Sequence, residues 1–561
     1  MPTNLLFRIA CFSFVYSKGL FGDMLDKGCD ILKTDEKRWL RRFLSFFLLV
    51  YLIFQTALGQ STQNGYSFLV YQNLELLEGN GLIPQGALAQ RPLSEKVILS
   101  LLEKAEEKND KTTSQDSLIS WTRKLIGQKT GAHPKDFNIE LLEKVSFSQV
   151  LTSQKESRIE SNGLSGINAI FQPLLSNRQG RMYQDRFNSY LETNHALTYK
   201  DKFAIQMQPQ LILNKNNAVS NQLRFQKLLF KANLGIAEIS VGRENVVWGL
   251  RSNGGLLFSD NAPPLDMIKI ATSGQIRLPW FLKQLGTFSF ASFVADLGKD
   301  YARPHAKMAT YRFDYQPTEK WNFGIEHTVT LGGTKNQNTS AYRIIGEFTG
   351  FLIRPGDPSP SNHNISISAA RKFWNLSTYV TIMFEDTDNN LDMLFIHNAS
   401  WLFGMHMPNL GGNTSLSLNT ELIRSGPRAY RHGIYSDGHA INRRVLGFGL
   451  GPDVFMSTTS INYSISNKNL LKMNFQYLNR SGNSYQVVTQ GNGDFVDLEA
   501  TTQRSGEKHY IVGLNWIKSI NEMLNTTFNF GLDYTNNKNF VKGEKRLDYM
   551  LEFSLEFTPG I

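Results

Sequence analysis

LDYMLEFSLEF, residues 547–557, alternates apolar with polar at every position but Met550. Leu547, Tyr549, Leu551, Phe553, Leu555 and Phe557 fall on one side of an extended chain, and Asp548, Glu552, Ser554 and Glu556 on the other. A period of two marks a β-strand with one apolar and one polar face. The stretch is eleven residues long, longer than a usual soluble strand and matched to the ~9–11 tilted residues that cross a bilayer. The pattern recurs in KFAIQMQPQLIL (202–213), WNFGIEHTVTL (321–331), SLSLNTEL (415–422), LKMNFQY (471–477) and LNTTFNFGLDY (524–534). In lipid every backbone N–H and C=O must find a partner, so such a sheet has to close on itself. The pattern predicts an all-β transmembrane barrel over residues 176–557 with 16 or 18 antiparallel strands. Glu326, Glu421, Asp533, Glu552 and Glu556 then point into a polar lumen.

The N-terminal part has a different grammar. Lys37, Arg38, Arg41 and Arg42 precede the apolar run Phe43–Phe54, and Ala57-Leu58-Gly59 places small residues before a cleavage point. This is the pattern of a secretory signal peptide over 37–59, within a leader of 1–59 for which Met24 is an alternative start. Residues 60–127 carry helical spacing: Leu69, Val70, Leu74 and Leu77, then Val97, Leu101 and Ala105 behind an expected Ser94 N-cap with a Leu93/Ile98 staple. They are expected to form a small helical unit in the periplasm, followed by a connection over 128–175.

Composition narrows the function. The chain of 561 residues carries a formal charge of +10 without basic runs, so nucleic-acid binding is not expected. Both cysteines, Cys11 and Cys29, fall in the expected leader. Beyond the leader no apolar run is long enough for a spanning helix. No nucleophile elbow, zinc-protease motif, P-loop or dinucleotide fingerprint occurs, so neither an enzyme nor a bound cofactor or metal is expected.

Two stretches do not follow the strand period. VGRENVVWGLRSNGGLLFSDNAPP (241–264) gathers Arg243, Glu244, Trp248, Arg251, Asp260 and Asn261 among glycines. AYRHGIYSDGHAINRRVLGFGLGPDVF (429–455) gathers Tyr430, Arg431, His432, Tyr435, Asp437, His439, Arg443 and Arg444. Aromatic faces beside Arg, Asp and Asn suit carbohydrate: rings stack on CH faces and forked polar groups meet hydroxyls or carboxylates. The candidate ligand-binding residues are Arg243, Trp248, Arg251, Asp260, Asn261, Tyr430, His432, Tyr435, Asp437, Arg443 and Arg444. Scaffolding is the competing role for each. Arg243, Glu244, Arg251 and Asp260 are read as a charge network across the lumen.

On GRENVVWGLRSNGGLLFSDNAPP and YRHGIYSDGHAINRRVLGFGLGPD, with YQNLELLEGNGLIP and RPLSEKVILSLL near the start, the chain resembles the Wzi family of outer-membrane capsule assembly proteins. The resemblance spans residues 66–557. It implies an 18-stranded barrel, a helical bundle on the periplasmic side, and a lectin-like role in retaining capsular polysaccharide on the cell surface. The implied partners are that polysaccharide, outer-membrane lipid and the capsule export machinery. The Thr-Pro-Gly-Ile tail after Phe557 departs from barrels that end on the aromatic. The alternative readings are a porin or transporter for sugars and, third, an outer-membrane hydrolase.

Overall fold

The computed structural model describes residues 68–109, 113–126, 137–200, 202–214, 222–250, 253–333, 346, 348, 361–385, 399–489 and 495–559. The leader and Arg251 lie outside them. Among the described residues three helices come first: α1 Phe68–Asn80, α2 Glu95–Lys108 and α3 Thr113–Leu125. Eighteen long strands follow among the described residues. They are β1 Phe137–Thr152, β2 Arg186–Tyr199, β3 Phe203–Asn214, β4 Gln222–Asn233, β5 Ala237–Glu244, β6 Leu265–Thr272, β7 Thr287–Asp296, β8 Lys307–Gln316 and β9 Trp321–Leu331. The second half holds β10 Asn362–Phe373, β11 Leu376–Glu385, β12 Ser400–Met407, β13 Leu416–Ser425, β14 Val454–Ser466, β15 Asn469–Arg480, β16 Glu507–Ser519, β17 Leu524–Asn536 and β18 Lys545–Phe557. Each pairs antiparallel with its neighbours in sequence, and β18 returns to β1 from Val145↔Phe557 to Thr152↔Met550. The sheet is closed.

The side-chain alternation partitions as the physics of lipid requires. On β3, Phe203, Ile205, Met207 and Leu213 are exposed on the outer wall while Ala204, Gln206, Gln210 and Ile212 are buried inside. On β18, Leu547, Tyr549, Phe553 and Phe557 face out, and Asp548 and Glu552 face in. Glu326, Glu421 and Asp533 are buried likewise. An apolar belt surrounding a polar lumen is the inverse of a soluble fold and matches a bilayer. A closed ladder leaves no free edge from which to unzip. The protein in detergent is therefore expected to run as a compact band until boiled, and equal gel mobility with and without boiling would contradict the closed barrel.

The two ends differ. One carries short turns, such as 234–236, 317–320, 374–375 and 467–468; the other carries the long loops 153–185, 245–264 and 426–453. In bacterial barrels short turns face the periplasm and long loops the outside. The helices sit at the short-turn end. Leu69 packs on Leu470 and Ile517, and Lys124 pairs with Glu522 of the 520–523 turn. Val70, Leu74, Leu77, Val97, Ile98, Leu101, Leu102 and Ala105 form their core.

Two expectations change. The stretch 128–175 is not only a connection, because it contains β1. Its apolar/polar alternation breaks at Leu141-Leu142-Glu143, where the pairing with β2 also shifts register between Glu140 and Lys144. Ser94 stands at the N-cap position of α2, but its hydroxyl makes no cap. It donates instead to Glu238 of the barrel wall at 2.7 Å.

Candidate functional site

Loops 153–185, 245–264 and 426–453 fold inward at the long-loop end and pack into one plug. Trp248 meets Phe258 and Phe293 edge-on, with ring centroids 5.7 and 5.3 Å apart, and Phe258 in turn meets His439 at 5.5 Å. Hydrogen bonds lace the same loops together. The Tyr430 hydroxyl donates to Leu256 O at 2.8 Å, His439 Nε2 lies 2.8 Å from Leu257 O, and Ser259 N donates to Leu446 O at 2.8 Å. Asn261 Nδ2 donates to Val445 O at 2.8 Å. Loop 153–185 joins through Arg431, which donates to Glu160 O at 2.6 Å and Ser165 O at 3.1 Å. Glycine is required where the chains touch: a Cβ on Gly447 would overlap the Leu256 carbonyl oxygen. The two stretches singled out in the sequence are thus two sides of one packed body.

Beneath the plug lies a polar chamber of about 630 Å³. Its wall carries paired charges. Arg178 Nη1 donates to Glu552 at 2.7 Å, Arg181 pairs with Glu192, Lys144 pairs with Glu556 at 3.0 Å, and Glu244 pairs with Lys269. Leu69, Tyr71, Gln72 and Glu75 of α1 contribute to its lining as well. The lumen is therefore obstructed by loops on one side and by the helical unit on the other.

The candidate residues separate into groups. Arg243 is not in the lumen: the strand alternation turns it to the outer wall, where it forks onto Asp266 at 2.7 and 2.6 Å. Only Glu244 and Asp260 of the expected lumenal network face the chamber among the described residues. Trp248, at 1% exposure, has no ring face open to a sugar. Asn261, Tyr430 and Tyr435 are equally enclosed. Arg444 is 2% exposed and donates to Gln172 Oε1 at 3.1 Å and Arg181 O at 2.8 Å. These five hold the plug together. Enclosure lowers the Arg444 guanidinium to about 10 and His439 to about 4, so the latter is a neutral ring at physiological pH. Burial pushes the Asp260 carboxyl up to about 7, against the pull of Arg181, Arg91 and Arg178.

Three candidates in loop 426–453 reach solvent. His432 is partly exposed, and its Nδ1 accepts from Ile434 N and Tyr435 N at 3.2 Å. Asp437 accepts from Ala302 N at 2.6 Å. Arg443, with its side chain 34% exposed, pairs with Glu156 at 2.6 Å. A second exposed pair joins Arg504 to Glu160 at 2.7 Å, with the guanidinium 4.9 Å from the Phe540 ring centroid. Sequence reasoning missed Glu156, Glu160 and Arg504. All three lie in irregular segments, and nothing local signals that loops 153–185 and 481–506 approach one another.

A family profile described as capsule assembly protein Wzi matches residues 157–548. The chain belongs to the Wzi family. That match begins four residues into the first plug loop, covers the other two, and spans all barrel strands except β1, although it stops within β18. No curated protein matches the chain. Among solved structures, it is similar to Wzi of Escherichia coli, described as an outer membrane protein involved in group 1 capsule assembly and a carbohydrate-binding β-barrel. The identity is 17%, 90% of this chain and 100% of that one are covered, and the TM-score is 0.62. At that identity the likeness shows the fold, including the 18-stranded barrel. OprD of Pseudomonas aeruginosa aligns at 9% identity over 75% of this chain and 94% of its own, with a TM-score of 0.41.

Proposed function

We propose that this member of the Wzi family binds capsular polysaccharide at the outer face of its plug and retains it on the cell, as a lectin rather than an enzyme. The supporting observation is the plug itself. A channel needs an open lumen, whereas here three loops spend their apolar and polar groups on closing it and leave charged side chains on the outside. E. coli Wzi, the structural relative, is described as carbohydrate-binding, which agrees with this reading. The barrel holds the plug in the outer membrane, and the helical unit faces the periplasm, where the export machinery is a candidate partner. Porin and hydrolase activity are the competing readings. A planar-bilayer conductance measurement tests the first, and a lipase, esterase and glycosidase panel tests the second.

The surface pairs suggest an acidic polymer. An uronate carboxylate can take the place of Glu156 on the Arg443 fork. Arg443→Ala is expected to weaken binding of an acidic polysaccharide about five-fold, since an exposed charged contact contributes on the order of 1 kcal/mol. Added salt should weaken wild-type binding more than that of the variant. Glu156→Gln removes the competing carboxylate and should tighten binding. Arg444→Ala should instead loosen the plug, because its contacts are internal. Equal binding by wild type and a well-folded Arg443→Ala protein would remove Arg443 from the binding face.

A further inference from the structure

The helical unit does more than cover the short-turn end. Between α1 and α2 the chain enters the lumen, and its residues Gln90–Arg91 pair antiparallel with Val247–Trp248 of the plug: Gln90↔Trp248 and Arg91↔Val247. Gly249 N donates to Ala89 O at 2.8 Å. In an antiparallel ladder hydrogen-bonded pairs alternate, so with Ala89 and Gly249 forming one such pair, Arg91 and Val247 form the next. The penetrating segment is itself fastened to the barrel wall. Gln90 Nε2 donates to Asp314 Oδ2 at 2.7 Å and Ser289 Oγ at 3.2 Å, and Gln316 Nε2 donates to Gln85 O at 2.9 Å. The residue it grips, Trp248, is the centre of the aromatic cluster that reaches Phe258 and, through it, His439 of loop 426–453. Arg443 lies four residues beyond His439.

We propose that residues 89–91 of the periplasmic unit are a positioning strand for the surface loops: by pairing with residues 247–249 they hold the plug in the conformation that presents the Arg443 face. This rests on the polysaccharide-binding reading for its functional consequence, but not for its structural one. The warrant is backbone pairing. A loop such as 245–264 has no strand period of its own, and the two-residue ladder fixes its direction and register at Trp248. A partner that pulled the helical unit away would free one side of that ladder and loosen the surface loops. Binding on one face of the membrane is thereby made dependent on a contact made from the other.

Arg91→Pro and Arg91→Ala, compared in the full chain, separate the ladder from the side chain. Both lose the guanidinium, but only proline loses the backbone donor. Gln90→Leu, which keeps the backbone and cuts the tie to Asp314 and Ser289, is the second variant. Purified protein is treated with thermolysin, and the rate of cutting within 426–453 is followed beside the boiled/unboiled gel shift. Arg91→Pro should keep the gel shift and be cut about ten-fold faster than Arg91→Ala, as cleavage follows the population of the opened loop. Gln90→Leu should move the same way by a smaller factor. Should Arg91→Pro fail to assemble, Gln90→Leu carries the test. Cutting rates in assembled Arg91→Pro and Gln90→Leu no different from Arg91→Ala and wild type would overturn the proposal. Polysaccharide binding measured in parallel keeps the two readings apart. Faster cutting with no binding even by wild type would sink the lectin reading and leave the positioning strand standing.

Discussion

Trp248→Ala is expected to open the long-loop side of an obstructed barrel and raise its conductance, with the helical unit left as the remaining obstruction. The indole is fully enclosed, edge-on to Phe258 of its own loop and to Phe293, which projects inward from β7. Truncating a buried tryptophan costs about 3–5 kcal/mol, through lost contacts and the space left behind. That loss falls on the plug and not on the ladder, because Trp248 contributes to none of the eighteen strands. The unboiled compact band should therefore persist while single-channel conductance in a planar bilayer rises above a low wild-type value. Trp248→Phe, which keeps an aromatic edge, should fall between. If conductance stayed at the wild-type level, the hydrogen bonds from Tyr430, His439 and Ser259 would suffice to hold the plug. A wild-type barrel that already conducts freely would favour the porin reading.

The second large effect lies in the wall. Arg312 of β8 is buried and forks onto Asp314 at 2.9 and 2.7 Å, while its Nη1 donates to Glu326 of β9 at 3.0 Å. Gly324 leaves the room this requires, since a Cβ there would press on Arg312 Nη2, Asp314 Oδ1 and Ser368 Oγ. Arg312→Leu strands two carboxylates in the lumen without their cation, and breaking a buried ion pair from one side costs about 3–5 kcal/mol. Urea unfolding in detergent should show that loss. Adding Asp314→Asn and Glu326→Gln removes the stranded charges and should recover much of it. Stability unchanged in Arg312→Leu would mean that lumenal water solvates both acids. Asp314 also accepts from the Gln90 amide, so the wall's charge network and the positioning strand share one carboxylate.

The barrel was legible because its rule is local. Each residue of β3, β9, β17 or β18 is sorted by one neighbour, lipid or lumen, and that choice repeats every second position. The period, the strand length and the polarity of Glu326, Asp533 and Glu552 can all be read without knowing what the strand pairs with. Where the apolar/polar pattern breaks, as at Leu141-Leu142-Glu143 in β1, the reading is lost. Arg243 shows a related limit. Its polarity suggested the lumen, but the parity it shares with exposed Val241 turns it outward, where the rim of the belt tolerates an ion pair.

In the plug no such rule operates. Arg443 and Arg444 are adjacent and chemically identical, yet one reaches solvent beside Glu156 and the other is enclosed against Gln172 and Arg181. What separates them is contact with chain some 260–290 positions away, together with the left-handed backbone at Arg443, φ 63°. Tyr430 meets Leu256, and Gln90 faces Trp248, for the same kind of reason. The sequence by itself determined a closed barrel with a polar lumen and helices before it, because solvent partition acts on every residue independently. Only the tertiary structure decided that the two aromatic, arginine-bearing stretches are one plug, which of their side chains are left to meet a ligand, and that the plug is gripped from the periplasmic side. Those outcomes depend on pairs of distant segments, and a pair has no signature in either segment alone.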